Sequence, residues 1–218
     1  MTDAAPLLAD LPPEELAARL AAKLCHDFIS PASAIVSGLD LLDDPTAKDM
    51  RDDAMDLIAA SARKLGDMLQ FARVAFGASA SAESFDSGEL ERLAQGAFAH
   101  VRAELDWAIE SQTLAKPVAR ALLNMVQLAA GALPLGGLAR AEVRPGPDGV
   151  TVEVVSRGNR VRLQAEVADG LAGKPLGEGL AGRWVQAYYL NALVRTAGGQ
   201  VSGVVQDDAV VLTAQLPG

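Results

Sequence analysis

Apolar residues recur at helical spacing through the first third of the chain. From the segment PPEE (12–15) to about Leu42 they lie three or four positions apart, at Leu16, Leu20, Leu24, Phe28, Ile35, Leu39 and Leu42. This spacing predicts a helix with one buried face, and proline and acidic residues suit its first turn. Because the spacing resumes in phase after Pro31, we expect this proline to kink the helix without ending it.

A second helical pattern follows the polar turn DDPTAKD (43–49), with Thr46 as a candidate N-cap, and reaches about Phe76. Its predicted buried positions are Ala54, Leu57, Ile58, Ser61, Leu65, Met68, Leu69 and Ala72. Two long helices joined by a short turn predict an antiparallel hairpin. Since such a hairpin buries little surface alone, we expect two copies to form a dimeric four-helix bundle.

The pattern changes after Gly77. A small, polar segment (77–89) is the predicted connector, which divides the chain into a helical domain (1–77) and a second domain (78–218). The second domain has helical spacing at 88–100, 116–133 and 180–197, a short strand at 104–109, and no clear element at 160–179. Two hairpins are predicted, at 138–158 around PGPDG and at 198–216 around Asp207 and Asp208. The overall prediction is an α+β fold, whose second part is an α/β sandwich with helices on one face of a mainly antiparallel sheet.

Composition and charge restrict the class of protein. Of the 218 residues 50% are apolar but only 4% are aromatic, so the core must be built from Ala, Leu and Val. The 19 basic and 28 acidic residues give a net charge of −9, which repels phosphate backbones and anionic lipid, so we expect neither a nucleic acid nor a membrane as partner. The acidic start of the chain is unlike a secretory leader, and no apolar run approaches the ~18 residues of a membrane span. A single cysteine, Cys25, suits a reducing compartment, and we expect a cytoplasmic protein.

One of the two histidines stands in an unusual place. In the segment KLCHDFISPASAI (23–35), His26 precedes Asp27 within the first predicted helix. At about 100° per residue, His26 lies roughly 200° from Leu24 and faces water. The residues that share its face are mostly small and allow close approach by another protein: Ala22, Lys23, Ile29, Ser30 and Ser33.

Three interpretations of His26 follow from these residues alone. It is an ordinary surface histidine, a metal ligand or a nucleophile. No second ligand stands at metal-binding spacing, which disfavours the metal. Asp27 favours the nucleophile, because a carboxylate beside an imidazole fixes its tautomer and raises the basicity of the other nitrogen, as a phosphoryl-accepting histidine requires. His100, near a predicted helix end, is expected to be a surface or capping residue.

The segment HDFISP resembles the phosphoacceptor box of two-component histidine kinases. His26, Asp27, Phe28, Ser30 and Pro31 occupy the positions of that box, whereas Ile29 stands where kinases usually carry a basic residue. A helical hairpin followed by an α/β domain is also the order of domains in such kinases. The resemblance implies that the second domain has the GHKL (Bergerat) ATPase fold.

The nucleotide-binding motifs of that fold are eroded in this chain. In NMVQLA, Asn124 is kept but Leu128 replaces the second asparagine of the magnesium motif. In VEVVSRGNRV, Ser156 replaces the aspartate that recognises adenine, and Arg160 replaces the second glycine. Glycines of the lid and of the last turn are kept, at Gly177, Gly179, Gly198 and Gly199, and aromatic bulk follows the lid, at Trp184, Tyr188 and Tyr189. We expect these aromatics to pack in a core that fills the former pocket.

A kinase-like hairpin with a degenerate ATPase-like domain resembles the ChpT family of dimeric histidine phosphotransferases. The resemblance implies that His26 receives a phosphoryl group from the receiver domain of a CckA-like hybrid kinase. His26 then passes the group to CtrA-like and CpdR-like response regulators. The chain would need no cofactor of its own, because the receiver supplies Mg²⁺, and no ATP binding is expected.

Within this family reading each residue of the His26 face has an expected role. Asp27 orients or deprotonates His26, and Ser30 contacts the transferred group. Ala22, Ile29 and Ser33 form the centre of a receiver-docking patch, with Lys23 toward its rim. Two alternatives remain open at this point: an ATP-dependent histidine kinase, and a non-catalytic dimeric adaptor that binds receivers.

Overall fold

The computed structural model describes residues 11–77 and 83–217, so residues 78–82 of the predicted connector lie outside it. Six helices are described: α1 (Pro13–Asp43), α2 (Arg51–Ala75), α3 (Ser87–Phe98), α4 (Lys116–Gly131), α5 (Ala165–Leu171) and α6 (Ala181–Thr196). Seven strands accompany them: β1 (Ser84–Asp86), β2 (Ala103–Ala108), β3 (Thr113–Ala115), β4 (Gly137–Gly146), β5 (Gly149–Arg157), β6 (Gln200–Gln206) and β7 (Ala209–Leu216). The α+β class and the N-terminal helical hairpin are confirmed.

The hairpin is formed by α1 and α2. The first helix continues through Pro31, as the apolar spacing predicted. The two helices come close at Gly38, where a Cβ atom would lie 2.6 Å from Ile58 Cγ1. The N-cap prediction for Thr46 is wrong, because its backbone N and Oγ1 both donate to Asp44 Oδ1, each at 2.7 Å. Asp44 therefore organises the turn, and Thr46 is a donor within it.

Some predicted core positions of the hairpin are exposed. Leu39, Leu57 and Leu69 are accessible to solvent, although the apolar spacing placed them on the buried face. Conversely, the end of α2 is buried at positions that the sequence did not single out: Phe71, Val74 and Ala75. These residues belong to the same apolar core as the second domain. The hairpin is thus buried partly by its own pairing and partly by the domain that follows it.

The predicted connector contains the first strand of the second domain. Within the supposed connector, β1 pairs antiparallel with β3. Asp86 then caps α3, since its Oδ1 accepts from Glu89 N at 2.9 Å. The short helix α5 occupies part of the segment 160–179, for which no element was predicted.

A five-stranded sheet forms the body of the second domain, in the order β2-β4-β5-β7-β6. Only β2 and β4 run parallel, so the prediction of a mainly antiparallel sheet is confirmed. Both predicted hairpins are present. The second turns at Asp207 and Asp208, whose φ angles of 48° and 56° lie in the left-handed region that such a turn requires.

The two faces of this sheet differ in polarity. The inner face is buried under the helices and carries Ala139, Ala141, Val143, Val152, Val154, Val210, Leu212 and Ala214. The outer face carries ion pairs, among them Arg140 Nη1 with Asp106 Oδ2 at 2.6 Å. Arg140 also pairs with Glu142 and thereby lowers the pKa of that carboxyl group. Helices therefore cover one face, as predicted.

An aromatic contact joins the hairpin to the second domain. Trp184 and Tyr188 of α6 pack against Leu16 and Leu20 of α1. The guanidinium of Arg19 lies 5.7 Å from the centroid of the Trp184 ring, a distance typical of a cation–π contact. Trp184 Nε1 also donates to the Lys174 carbonyl at 2.9 Å, so its polar atom is satisfied. We call this the α1–α6 contact.

A second junction lies at the end of α2. The Ala75 carbonyl accepts from Asn124 Nδ2 of α4 at 3.0 Å and from the Tyr189 hydroxyl of α6 at 3.5 Å. Arg120 donates to the same hydroxyl, and its guanidinium lies 5.8 Å from the Tyr189 ring centroid. Burial raises the pKa of Tyr189, against the lowering effect of Arg120. The helices α2, α4 and α6 therefore meet at the Ala75 carbonyl.

Replacing Trp184 by alanine should destabilise the protein by about 3–5 kcal/mol, because the α1–α6 contact loses its largest side chain and leaves a cavity. Chemical denaturation followed by circular dichroism measures this. Val205→Ala is the control: its side chain is 61% exposed, and its effect should stay within about 0.5 kcal/mol. Equal effects of the two substitutions would contradict the assigned role.

The raised pKa of Tyr189 predicts a loss of stability in alkali. The ordinary pKa of a tyrosine is 10.0, so above that pH the unfolded chain ionises this residue more readily than the folded protein does. The free energy of unfolding should therefore fall as pH rises above about 10. Tyr189→Phe should reduce the slope of this fall in denaturation series from pH 8 to 11. An unchanged slope would contradict the prediction.

Candidate functional site

His26 lies in the middle of α1, far from either helix end. Its side chain is 90% exposed, which confirms that it points away from the apolar face of the helix. The His26 side chain is therefore not part of the hydrophobic core. The imidazole is thus available to another protein on most of its surface.

Asp27 is shared between two neighbours on α1. Its Oδ2 lies 2.5 Å from Lys23 Nζ, and its Oδ1 lies 3.5 Å from His26 Nδ1. The carboxylate is therefore firmly paired with the lysine and more loosely placed beside the imidazole. A proton on Nδ1 would face this carboxylate, which leaves the lone pair of Nε2 directed outward. This is the tautomer that a nucleophilic histidine needs.

The other predicted residues of this face are largely where the sequence placed them. Ala22, Ser30 and Ser33 are exposed, and the Ile29 side chain is 62% exposed. Lys23 differs, because its side chain is only 10% exposed. Its stem lies beside Gly182 of α6, and its place toward the rim of a docking patch stays a prediction. The exposed residues on this face are small or apolar.

Two grooves flank His26 and Asp27. The first has a volume of about 630 Å³ and is bounded by α1, α4, the segment before α5, and the start of α6. The second has a volume of about 420 Å³ and is bounded by α1, α2, the end of α3, and α4. Gln127 and Gly131 of α4 line both grooves. The second domain therefore provides walls on both sides of the histidine.

The first groove is basic although the chain is acidic overall. Arg19, Lys23, Arg162 and Arg183 line it, together with one carboxylate, Asp27. Arg183 donates to the neutral Gln164, and in the described residues no carboxylate lies within 4.0 Å of Arg162 or Arg183. Backbone hydrogen bonds lower the pKa of the Glu166 carboxyl group, and the charges of Arg183 and Arg162 lower it further.

Asn124, the asparagine that matches the magnesium motif of the resemblance, is hydrogen-bonded within the fold at both ends of its amide. Asn124 is completely buried, and its Nδ2 donates to the carbonyls of Ala75 at 3.0 Å and Arg120 at 2.9 Å. Its Oδ1 accepts from Gln186 Nε2 at 3.5 Å. Both functional ends of the amide are occupied, so Asn124 fastens α4 to α2 and α6.

Ser156, at the position where the resemblance implies an adenine-binding aspartate, is part of the core. Ser156 is completely buried and donates to the Ala129 carbonyl at 3.3 Å. Gly158 follows at a close backbone approach, where a Cβ atom would lie 2.6 Å from the Gly136 carbonyl oxygen. Arg160, at the position of the second glycine, adopts a φ of 57°.

The aromatic residues at 184, 188 and 189 pack in the interior, as predicted. Trp184 and Tyr188 form the α1–α6 contact, and Tyr189 lies at the α2 junction with Phe76, ring centroids 5.4 Å apart. That this packing fills a former nucleotide pocket stays a prediction. The aromatic bulk joins the two parts of the chain.

Two features of the site were missed from the sequence. His100, expected to be a bland surface or capping residue, pairs through Nε2 with Asp67 Oδ2 of α2 at 2.8 Å. Gln127 accepts from Gln186 Nε2 at 2.6 Å and lines both grooves. Their partners are 33 and 59 residues away in the chain, so no local pattern signalled either contact.

The described residues hold no cluster of three or more histidine, cysteine or carboxylate side chains suited to a metal ion. Across residues 11–77 and 83–217 there is also no helix with the length and hydropathy needed to cross a bilayer.

Comparisons with known proteins agree on one family. Residues 87–209 match the family model described as the histidine phosphotransferase C-terminal domain. The chain is 33% identical over 202 residues to the protein phosphotransferase ChpT of Brucella abortus (strain 2308), which covers 92% of this chain and 95% of that protein. A 1.7 Å structure of a bacterial phosphotransferase superposes with a TM-score of 0.84 at 31% identity, covering 96% of this chain and all of the other. The chain therefore belongs to the histidine phosphotransferase family that includes ChpT.

Proposed function

We propose that this protein is a phosphorelay histidine phosphotransferase in which His26 carries the phosphoryl group. The observation that carries the proposal is the placement of His26: an exposed imidazole on the middle of a helix, with Nδ1 beside a carboxylate and Nε2 free. Membership of the histidine phosphotransferase family supports it.

The transfer exchanges a P–O bond for a P–N bond. The lone pair of His26 Nε2 attacks the phosphorus of an aspartyl phosphate in line, and the P–O bond breaks with its electron pair going to the departing carboxylate. Nδ1 keeps its proton, so the imidazole gains positive charge, which Asp27 stabilises from 3.5 Å. The reverse sequence returns the phosphoryl group to a second carboxylate. Because both carboxylates belong to partners, this chain contributes mainly the position and basicity of the imidazole.

The partners that suit this reaction are receiver domains. We propose that the receiver of a CckA-like hybrid kinase loads His26 and that CtrA-like and CpdR-like response regulators unload it, with Mg²⁺ held by the receiver. Ala22, Ile29 and Ser33 offer a small, apolar contact surface around the histidine, and Ser30 lies one turn along for the transferred group. We place this exchange in the cytoplasm.

An ATP-dependent kinase is the less favoured function of this fold. The side chains that would bind nucleotide are either replaced or occupied, with Asn124 bonded to three partners and Ser156 to a helix carbonyl. Releasing Asn124 for magnesium would leave the buried Ala75 carbonyl with one donor fewer, at a cost of about 1–3 kcal/mol. We therefore propose that the second domain acts without ATP.

A homodimer through the hairpin completes the proposal. Apolar side chains remain exposed along the hairpin, at Ile29, Val36, Leu39, Met50, Met55, Leu57 and Leu69. On α1, Val36 and Leu39 lie three residues apart and share a face, as do Met55 and Leu69 on α2. A second hairpin packed on these faces would form the predicted four-helix bundle.

His26→Ala should abolish labelling and onward transfer. The assay incubates the protein with a ³²P-labelled phospho-receiver and looks for acid-labile, base-stable label, because phosphohistidine has that stability. His100→Ala removes the only other histidine and should keep the label. Label on the His26→Ala protein, or effects on the pathway that survive this substitution as an adaptor would allow, would contradict the proposal. Calorimetric binding of Mg-ATP would favour the kinase instead.

Charge placed on the exposed hairpin face should dissociate the dimer. Val36→Asp with Leu69→Asp puts carboxylates where the second copy would pack, so we expect the monomer mass by light scattering after size exclusion. Val205→Asp, on an exposed strand of the sheet, is the matched control and should leave the dimer intact. A monomeric wild-type protein at micromolar concentration would overturn the dimer.

A further inference from the structure

We propose that Lys23 is a positioning residue for phosphoryl transfer, which α6 of the second domain holds against Asp27. This deepens the proposed function and rests on it. It also gives the ATPase-like domain a part in the chemistry other than nucleotide binding. Three observations carry it: the geometry of the ion pair, the burial of the lysine, and the charges around the histidine.

The ion pair orients the carboxylate. Lys23 Nζ binds Asp27 Oδ2 at 2.5 Å, which leaves Oδ1 as the atom beside His26 Nδ1 at 3.5 Å. One carboxylate thus bridges the ammonium and the imidazole. With Oδ2 fixed, rotation of the carboxylate away from the imidazole requires breaking the ion pair. Lys23 therefore acts on His26 through Asp27 without touching the reacting atoms.

The helix alone does not favour this pair. A lysine four residues before an acid is the weaker of the two orientations on a helix, and exposed pairs of this kind contribute only about 0.3–0.5 kcal/mol. Packing of the second domain on α1 restricts the lysine and thereby favours the ion pair. The Lys23 stem lies beside Gly182 in the first turn of α6, where a Cβ atom would lie 3.9 Å from Lys23 Cγ. With 10% of its side chain exposed, Lys23 has little freedom to leave Asp27.

The charge balance requires such a partner. Phosphorylation brings roughly two negative charges to the imidazole, next to the carboxylate of Asp27. Arg19, Arg162 and Arg183 line the first groove, and Lys64, His100 and its partner Asp67 lie at the second. Arg19 is already paired with Glu15 at 2.5 Å, and Lys23 is the cation bonded to Asp27. Lys23 thus offsets the repulsion at the one carboxylate that faces the phosphoryl site.

The test separates positioning from docking. In single-turnover transfer from a phospho-receiver at saturating concentration, Lys23→Met should lower the rate constant by about tenfold or more, the loss typical of removing the partner of a reacting group. The receiver's Kd should change less than about twofold, because Lys23 is covered by α6. Lys23→Arg should retain the rate within about threefold, since a guanidinium can pair with Asp27 in the same way.

Two further variants make the result specific. Lys64→Met removes the same charge from the other groove beside His26 and should leave the saturating rate unchanged. Gly182→Leu leaves the hairpin sequence intact but fills the space beside the Lys23 stem, so it should lower the rate as Lys23→Met does. Far-ultraviolet circular dichroism and thermal unfolding confirm that each variant is folded.

Each outcome decides the proposal. A rate lowered in Lys23→Met and restored in Lys23→Arg supports it. An unchanged rate, a loss confined to Kd, or an equal loss in Lys64→Met overturns it. The wild-type protein runs in the same assay: if it never acquires label on His26, the proposed function fails. If wild type transfers normally and Lys23→Met does too, only the role of Lys23 fails.

Discussion

The packing of α6 against α1 is the contact on which the rest of the molecule depends. Trp184 and Tyr188 bury against Leu16 and Leu20, about two to three turns before the histidine on the same helix. This contact sets the distance and rotation of the second domain relative to His26. From it follow the two grooves beside the histidine and the covering of Lys23. An α/β domain that swung freely could provide neither, because both depend on side chains from α4 and α6 staying beside α1.

Asn124 and Ser156, which the sequence aligned with nucleotide-binding motifs, both hold parts of the fold together. An asparagine that binds magnesium must keep its amide oxygen free and near solvent, whereas Asn124 is buried and bonded at both ends. Ser156 likewise satisfies a helix carbonyl inside the core. Unpaired buried polar groups are costly, so these side chains stabilise the fold by satisfying backbone carbonyls. In this protein they join α2, α4 and α6 into one unit.

Local patterns predicted most of the secondary structure because their signals lie within a few residues. The 3.6-residue spacing gave α1, α2, α4 and α6, and turn residues gave both hairpins. The same spacing failed where a neighbour decides burial. Leu69 is exposed because no residue in the described ranges covers it, and Val74 is buried because it packs in the core of the second domain. Segments of three residues, such as β1 and β3, show no period and need each other to form.

The sequence by itself determined the chemistry proposed for the histidine, since the order His26, Asp27 and Ser30 on one helix fixes which side chains are neighbours and which face they share. It also determined that the nucleotide motifs are incomplete, because identity at Leu128 and Ser156 is enough for that. Only the tertiary structure decided the environment of that chemistry. Lys23 looks like an exposed rim residue in the sequence. In the fold it is the largely covered partner of Asp27, because α6, which begins 158 residues further along the chain, packs beside it at Gly182. Burial is a property of the whole fold, and no helical period carries it.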